Sequence, residues 1–292
     1  MQLFFEGLKN GLALGSAFAL MALGYSMVYG IVKMINFAHS EFITIGAFIA
    51  YFLAKLLKSF GMDYSFLMII ICIIAAVIVC VIVAVLTERF AYRPLRKKGS
   101  SRITALITAI GVSYLIIGIL NYIKKEQMYF PTFCDKDTAT IISLVVTAVL
   151  MVLLTFFVKK TKIGIAMRAV SENESAAKLM GINNNFIIAL TFMIGAALAG
   201  IGVVIYLLRL PDFSFSLGSK TIGLYPFVAA VIGGIGSLPG AVLGGFLIGI
   251  INEMTIVFGI SPWVDTIIYG IFIVILLFKP AGLLGKDTRE KV

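Results

Sequence analysis

The sequence predicts an all-α polytopic membrane protein: a helix bundle of eight or nine spans, one broken by glycine and proline, with a short helix on the cytoplasmic side. Three observations carry this. The chain is 61% hydrophobic, and its mean hydropathy is +1.08. Apolar runs of roughly 20 residues, the length that crosses a bilayer's hydrocarbon core, recur along the chain between short polar breaks. Finally, the net charge of +10 is concentrated in a few short segments rather than spread over a surface.

The apolar runs are 10 to 32, 36 to 56, 65 to 86, 103 to 123, 139 to 158, 186 to 208, 222 to 237, 240 to 258 and 264 to 279. The first carries on into further spans and lacks the pattern of a cleaved signal peptide, so it is expected to be retained. No loop between runs is long enough for a separate folded domain, which leaves one membrane domain over 1–292. Segments 87 to 102, 159 to 185 and 279 to 292 hold fifteen of the 24 basic residues, whereas 124 to 138 is balanced. Basic loops stay in the cytoplasm, so the charge marks one side of a lipid bilayer rather than a nucleic-acid surface. Nine spans put the N-terminus outside and the basic tail inside. An eight-span arrangement with a re-entrant segment near 222 to 245 would bring the N-terminus inside.

Glycines recur four apart at Gly7, Gly11 and Gly15, at Gly236, Gly240 and Gly244, and at Gly245 and Gly249. That spacing lets helix backbones approach closely. In "AAVIGGIGSLPGAVLGGFLIG", Gly233, Gly234, Gly236, Pro239 and Gly240 interrupt an apolar run. Irregular backbone at membrane depth is tolerated where it faces protein or a water-filled cavity, so the break reads as part of a transport path, as a tight cytoplasmic turn, or as both. Cys72, Cys80 and Cys134 sit at no metal-binding spacing and read as small core residues.

In "KMINFAHSEF", Lys33, Asn36, His39 and Glu41 cluster between two apolar runs. Ionisable groups near a bilayer are costly and usually face a cavity or a partner. His39 is the single histidine, which excludes a multi-histidine metal cage and leaves a path residue or a loop residue that holds the turn. Glu253 and Asp265 fall in or near the last spans and can meet a polar substrate or a neighbouring helix.

The stretch "SENESAAKLMGINNN", 171 to 185, is polar and small where most of the chain is oily. Ser171 with Glu174 has the spacing of a capping box. Ala176, Ala177, Lys178, Leu179 and Met180 are good helix formers, Gly181 suits the left-handed position after a last turn, and Asn183 to Asn185 can cap the next span. The expectation is a helix of about ten residues. A helix that short is marginal alone in water and too polar for a lipid anchor, so it should dock on another protein.

Ser175-Ala176-Ala177, three residues, then Gly181 resembles the E-A-A, three residues, G coupling loop of ABC importer permeases, with serine in place of the glutamate and Glu174 adjacent. Read with "GYSMVYGIVKMINFAHSEF", "ERFAYRPLR", "TAIGVSYLI", "TKIGIAMRAVSENESAAKLMGIN", "ALTFMIGAALAGIGV" and "VIGGIGSLPGAVLGG", the chain resembles the membrane permeases of branched-chain amino-acid ABC importers from about residue 10 to residue 249. One departure is Ser40, where the family pattern has glycine; serine restricts a positive φ there.

The resemblance implies an importer in which this chain pairs with a second permease, two cytoplasmic ATP-binding subunits and an extracytoplasmic substrate-binding protein. ATP and Mg belong to the ATP-binding subunits, and the chain carries no cofactor. No G-x-x-x-x-G-K-[ST] phosphate loop is present; "FSFSLGSKT", 213 to 221, lacks the adjacent Gly-Lys. Coupling is expected at Ser171, Glu172, Glu174, Ser175, Ala176, Ala177, Lys178 and Gly181, and the path at Asn36, His39, Glu41 and the broken run Gly233 to Gly240. Related permeases for urea or short amides share these motifs. A stand-alone secondary transporter would need an acidic proton or sodium cluster in mid-span, and a membrane enzyme using Glu41 and His39 would need more than one histidine and a nucleophile motif.

Overall fold

The computed structural model describes residues 1–34, 36–61, 66–123, 127–218 and 221–285, without the side chains of Arg102 and Thr221. Ser219 and Lys220, and the basic residues of the tail from 286 onward, lie outside the described residues. The helices are α1 (Gln2–Val32), α2 (His39–Ser59), α3 (Phe66–Thr87), α4 (Arg93–Lys97), α5 (Arg102–Ile123), α6 (Lys136–Lys160), α7 (Lys162–Glu172), α8 (Glu174–Leu179), α9 (Asn184–Leu207), α10 (Thr221–Gly233), α11 (Leu238–Val257) and α12 (Val264–Phe278). A π-helical turn, Glu88–Tyr92, joins α3 to α4, and a 3-10 turn, Ser261–Trp263, precedes α12. Strands β1 (Met128–Tyr129) and β2 (Asp212–Phe213) pair antiparallel.

Among the described residues, eight helices are long and apolar enough to cross a membrane. The run predicted as a span at 222 to 237 is instead the 13-residue α10 followed by a turn. At 1.5 Å per residue α10 covers about 20 Å, short of a hydrocarbon core of about 30 Å.

The two ends of the bundle are distinguishable by their bonds. At one end Lys9 pairs with Asp137 at 2.5 Å, Arg209 donates to Asn10 at 2.9 Å and to Thr140 at 3.1 Å, and β1 meets β2. At the other, Tyr92 donates to Asn36, and the amides of Leu283 and Leu284 donate to the carbonyls of Ile232 and Gly233. This second end carries the basic segments 87 to 102 and 159 to 185. The positive-inside rule makes it the cytoplasmic end, and the start of α1 lies at the opposite end, beside Asp137.

Helix α1 lies at the centre: its most apolar 18-residue window is 94% buried, against 6% for the corresponding window of residues 261–278. The reason is side-chain size. A Cβ at Gly11 would lie 2.8 Å from Cα of Ile250, one at Gly15 2.8 Å from Cα of Phe246, and one at Gly245 2.5 Å from Cα of Ala19. The first and last glycine ladders thus face one another across the α1–α11 interface, as small-xxx-small spacing requires. Cys72 and Cys80 are buried on α3, with Sγ 3.6 and 3.1 Å from the carbonyls of Ala50 and Phe42, which fits the packing role expected of them.

The glycine-rich break becomes a capped turn between α10 and α11. Gly234 (φ +106°) and Gly236 (φ +90°) adopt left-handed backbone that side chains disfavour. The Ser237 hydroxyl accepts from the Gly240 amide at 3.3 Å, Pro239 lies in the first turn of α11, and the Ser26 hydroxyl of α1 accepts from the Gly236 amide at 3.0 Å.

Candidate functional site: coupling helix and polar hinge

The segment after α6 is more helical than its polarity suggests. Thr161 accepts from the Gly164 amide at 3.0 Å and starts α7, so 162–172 is a helix where a loop is predicted. Ser171 and Glu172 form its last turn. This corrects the capping-box reading: the Ser171 hydroxyl donates to the Arg168 carbonyl at 2.8 Å and is spent within α7. Asn173 is the true cap, extended in backbone (φ −153°, ψ 106°) and accepting from the Ala176 amide at 3.0 Å. Consequently α8 has six residues rather than about ten.

The C-terminal end of α8 follows the sequence. Gly181 is left-handed (φ +82°), its amide donates to the Lys178 carbonyl, and the Ile182 amide reaches back to that of Ala177, the paired bonds of a Schellman stop. Asn183 caps α9 by accepting from the Phe186 amide at 3.2 Å. Asn184 donates to the Glu174 carbonyl at 2.7 Å, tying the start of α8 to the first turn of α9.

Ala177 is the one buried residue of α8. Glu174, Ser175, Ala176 and Lys178 are exposed. Leu179 and Met180, read from the sequence as helix formers alone, are 89% and 82% exposed. They follow the basic segment 159 to 172 at the end of the bundle opposite the start of α1.

The second region is the hinge between α1 and α2. Asn36, 4% exposed, accepts at Oδ1 from Tyr92 at 2.7 Å. His39, 1% exposed, opens α2 and fills a slot between helices: a Cβ at Gly24 would lie 2.7 Å from its Nε2. Its ring sits 4.4 Å from that of Tyr25, whose hydroxyl donates to the Gly223 carbonyl at 3.2 Å. Among the described residues, Asn36 Nδ2 and His39 Nε2 are buried and find no hydrogen-bond partner. Tyr25, Asn36, His39, Phe227, Val231 and Ile235 line a cavity of about 10 Å³, room for about one water molecule.

The structure therefore brings Asn36 and His39 together with the end of α10, two segments linked in sequence by nothing but their irregularity. It separates Glu41 from them. Glu41 is fully buried and accepts from Ser40 (3.2 Å), Thr44 (3.2 Å) and Ser113 of α5 (3.0 Å). Thr44 in turn accepts from the Gly218 amide at 2.7 Å, so this carboxylate fastens α2, α5 and the approach to α10. Of the predicted path residues in the break, Gly233 and Gly240 abut each other and Gly234 abuts Gly285; they close the turn beside the cavity rather than line it. Ser40 is helical and has no positive φ, so the restriction that serine places on positive φ is not met at this position. Asp265 accepts from Tyr225, linking α12 to α10.

Sequence reasoning missed Tyr92, Arg96, Glu88 and Ser113. Arg96 pairs with Glu88 across the π-turn, with side chains 9% and 3% exposed. The one signal was the concentration of basic residues in "ERFAYRPLR", which gave sidedness and no partners.

The sequence matches the family described as the permease component of branched-chain amino acid transport systems over residues 7–277. It is 40% identical to the high-affinity branched-chain amino acid transport system permease protein BraD of Pseudomonas aeruginosa, over 99% of this chain and 98% of that one. It is 36% identical to the permease protein LivH of the corresponding Escherichia coli system, with the same coverage. A chain of PsaBC from Streptococcus pneumoniae, solved with a Fab, shares the fold with a TM-score of 0.51 at 18% identity, over 95% of this chain and 96% of that one. The short α8 with its Gly181 stop and the capped break at Gly233 to Gly240 are the local forms of the motifs that carried the resemblance. On the near full-length match and these identities, the chain belongs to the permease family of branched-chain amino acid transport systems.

Proposed function

We propose that this chain, as one membrane domain over 1–292, is the membrane-spanning subunit of an ATP-driven importer of leucine, isoleucine and valine in a prokaryotic cell membrane. Family membership implies a transporter complex with other subunits. Those subunits are a second permease, two cytoplasmic ATP-binding subunits and an extracytoplasmic substrate-binding protein. ATP and Mg²⁺ reside on the ATP-binding subunits, and this chain holds no cofactor and catalyses no reaction.

The observation that carries the reading is the exposure of Leu179 and Met180 at the end of a six-residue helix. A helix of that length does not persist alone. This one is held by Ala177, by the Asn184 bond to the Glu174 carbonyl and by the Gly181 stop. Two large apolar side chains left in water on such a rigid knob suit a groove on a partner, where burial would contribute about 1.5–3 kcal/mol each. Movement of the partner would shift α8 and, through the short Gly181–Asn183 link, α9. Alternation between outward-open and inward-open states then follows from displacement of helices packed on α1.

The lining of the hinge cavity suits the substrate class. Tyr25, Val28, Phe227, Val231 and Ile235 offer apolar surface, and Asn36 Nδ2 and His39 Nε2 are unused polar atoms, the mixture that binds an apolar side chain with a polar head. At about 10 Å³ the cavity is closed to an amino acid, so passage requires the hinge to open.

The test is to purify the tagged complex, identify the co-purifying chains by mass spectrometry and measure leucine uptake with the binding protein in proteoliposomes. Stoichiometric ATP-binding subunits and ATP-dependent uptake are expected. Transport by the chain alone without ATP would refute the proposal.

A further inference from the structure

Helix α5 stands off the bundle. Ser113 ties it to Glu41 of α2 at 3.0 Å, yet its most apolar 18-residue window is 22% buried. Between α5 and the end of α3 lies a cavity of about 490 Å³, roughly three times the ~150 Å³ that admits benzene when lined by apolar side chains. Ile45 of α2, Val83 of α3, Ala91 of the π-turn, and Val112 and Ile116 of α5 form its inner wall. Leu86, Phe90, Leu115 and Ile119 line it and are also exposed, so it opens sideways between two membrane-crossing helices. The lining is apolar except for Thr87. A trapped water needs about two to four polar partners, and one hydroxyl does not supply them.

Shape and charge narrow the occupant. The lining runs from Val112 to Leu120 of α5, about 12 Å of helix. A volume of about 490 Å³ over that length gives a mean section of about 40 Å², too narrow for a helix about 10 Å across and wide enough for a hydrocarbon chain. At Phe90 and Ala91 the wall runs into the basic segment. Residues 87 to 102 carry six Lys and Arg against one acid, Glu88, and Glu88 is paired with Arg96. Among the described residues, none of Arg89, Arg93, Lys97 and Lys98 forms an ion pair, and the buried Nε of Arg93 finds no hydrogen-bond partner. Arg93 follows Phe90 by three residues, about 5 Å along the helix axis. Basic pockets between spans on the cytoplasmic side suit acidic lipid headgroups.

We propose that the slot between α3 and α5 is a binding site for one anionic phospholipid of the cytoplasmic leaflet, with an acyl chain in the cavity and its phosphate on Arg89 and Arg93. The chain supplies the dispersion contacts that the lining would otherwise lack and seats α5 against the bundle. The lipid is a structural ligand and is not transported. The site stands whether or not the chain belongs to an ATP-driven importer, since it rests on the slot and the charge beside it.

The test titrates phosphatidylglycerol and phosphatidylethanolamine of identical acyl chains into the detergent-purified full-length chain and counts bound lipids by native mass spectrometry. One phosphatidylglycerol per chain is expected to bind about twentyfold more tightly than phosphatidylethanolamine, at about fivefold for each of two basic residues near a headgroup. Arg89→Gln with Arg93→Gln should erase that preference. Val112→Trp, which fills the slot, should weaken phosphatidylglycerol binding at least about tenfold; the arginine pair leaves the apolar wall intact and so tests the site even where the tryptophan variant does not fold. Equal binding of the two lipids to the wild type, or binding unchanged in a folded Val112→Trp, would overturn the proposal. A second arm replaces Leu115 by photoreactive benzoylphenylalanine and irradiates native membranes: a phospholipid adduct supports the site, and an adduct to another polypeptide overturns it by showing that a protein covers the slot.

Discussion

Replacing Gly245 by alanine adds one methyl group inside the α1–α11 interface, and the cost can be worked from the geometry. The new Cβ would lie 2.5 Å from both Cα and N of Ala19 and 2.8 Å from its Cβ. Carbon atoms pack best at about 3.5–4.0 Å, so α1 and α11 must part by about 1 Å. Neither contact is the end of a flexible side chain, and none can rotate away. Parting by that distance forfeits about a quarter to a half of the dispersion energy of each contact along the interface. The expected destabilisation is about 3 kcal/mol, the upper range for overpacking. Gly118→Ala is the matched control: it lies in α5 with nothing within 4 Å of the added atom, and alanine there should be neutral or stabilise by about 0.5–1 kcal/mol. Both variants are heated in detergent and the remaining monodisperse fraction is followed by size-exclusion chromatography. Gly245→Ala should melt about 6–12 °C below the wild type, and Gly118→Ala at or above it. Equal melting of the two variants would refute the claim that α1 and α11 are in backbone contact through their glycines.

Leu179→Asp combined with Met180→Asp should abolish co-purification of ATP-binding subunits while the chain retains its thermal midpoint, because neither side chain is buried within the chain; retained association would rule out α8 as the docking knob. Asn173→Ala removes the side-chain acceptor of the Ala176 amide, and loss of such a cap costs about 1 kcal/mol; amide exchange across 174–179 should accelerate about fivefold, with exchange in α9 unchanged. Asp135, outside the spans, is held below the usual carboxylate range first by the Thr138 hydroxyl and then by the Thr138 amide. A carboxyl depressed in the folded state contributes stability above its unfolded value and loses it as pH falls through the folded one. Exchange of the first-turn amides of α6 should therefore accelerate as pH is lowered below about 4, after correction for intrinsic rates, and Asp135→Asn should flatten that dependence.

The spans were legible because hydropathy and length are local: among the described residues, eight of the nine predicted runs became helices long and apolar enough to cross, with ends shifted by a few residues except at α1, which begins at Gln2 rather than 10. Gly181 and Asn183 were legible for the same reason, since a cap is decided by atoms within four residues of it; Ser237, the cap of α11, went unread. The failure at Ser171 is equally local in origin. Ser171 and Asn173 compete for the same start, and an asparagine with an extended backbone wins when an upstream cap, Thr161, has already drawn 171 and 172 into α7.

By itself the sequence determined the class of the molecule, which loops are basic and so cytoplasmic, its glycine packing faces and its family motifs, because each follows from composition or from spacing along one helix, while the side of the N-terminus stayed open between the eight- and nine-span arrangements. The tertiary structure alone decided which ladder meets which, that Asn36 pairs with Tyr92 while Glu41 pairs with Ser113, and that α10 stops short of a full crossing. The physical reason is that a helix apolar on every side carries little record of which face meets a neighbour and which meets lipid. Partners for the few buried polar atoms emerge when the helices close on one another and each donor must find an acceptor away from water.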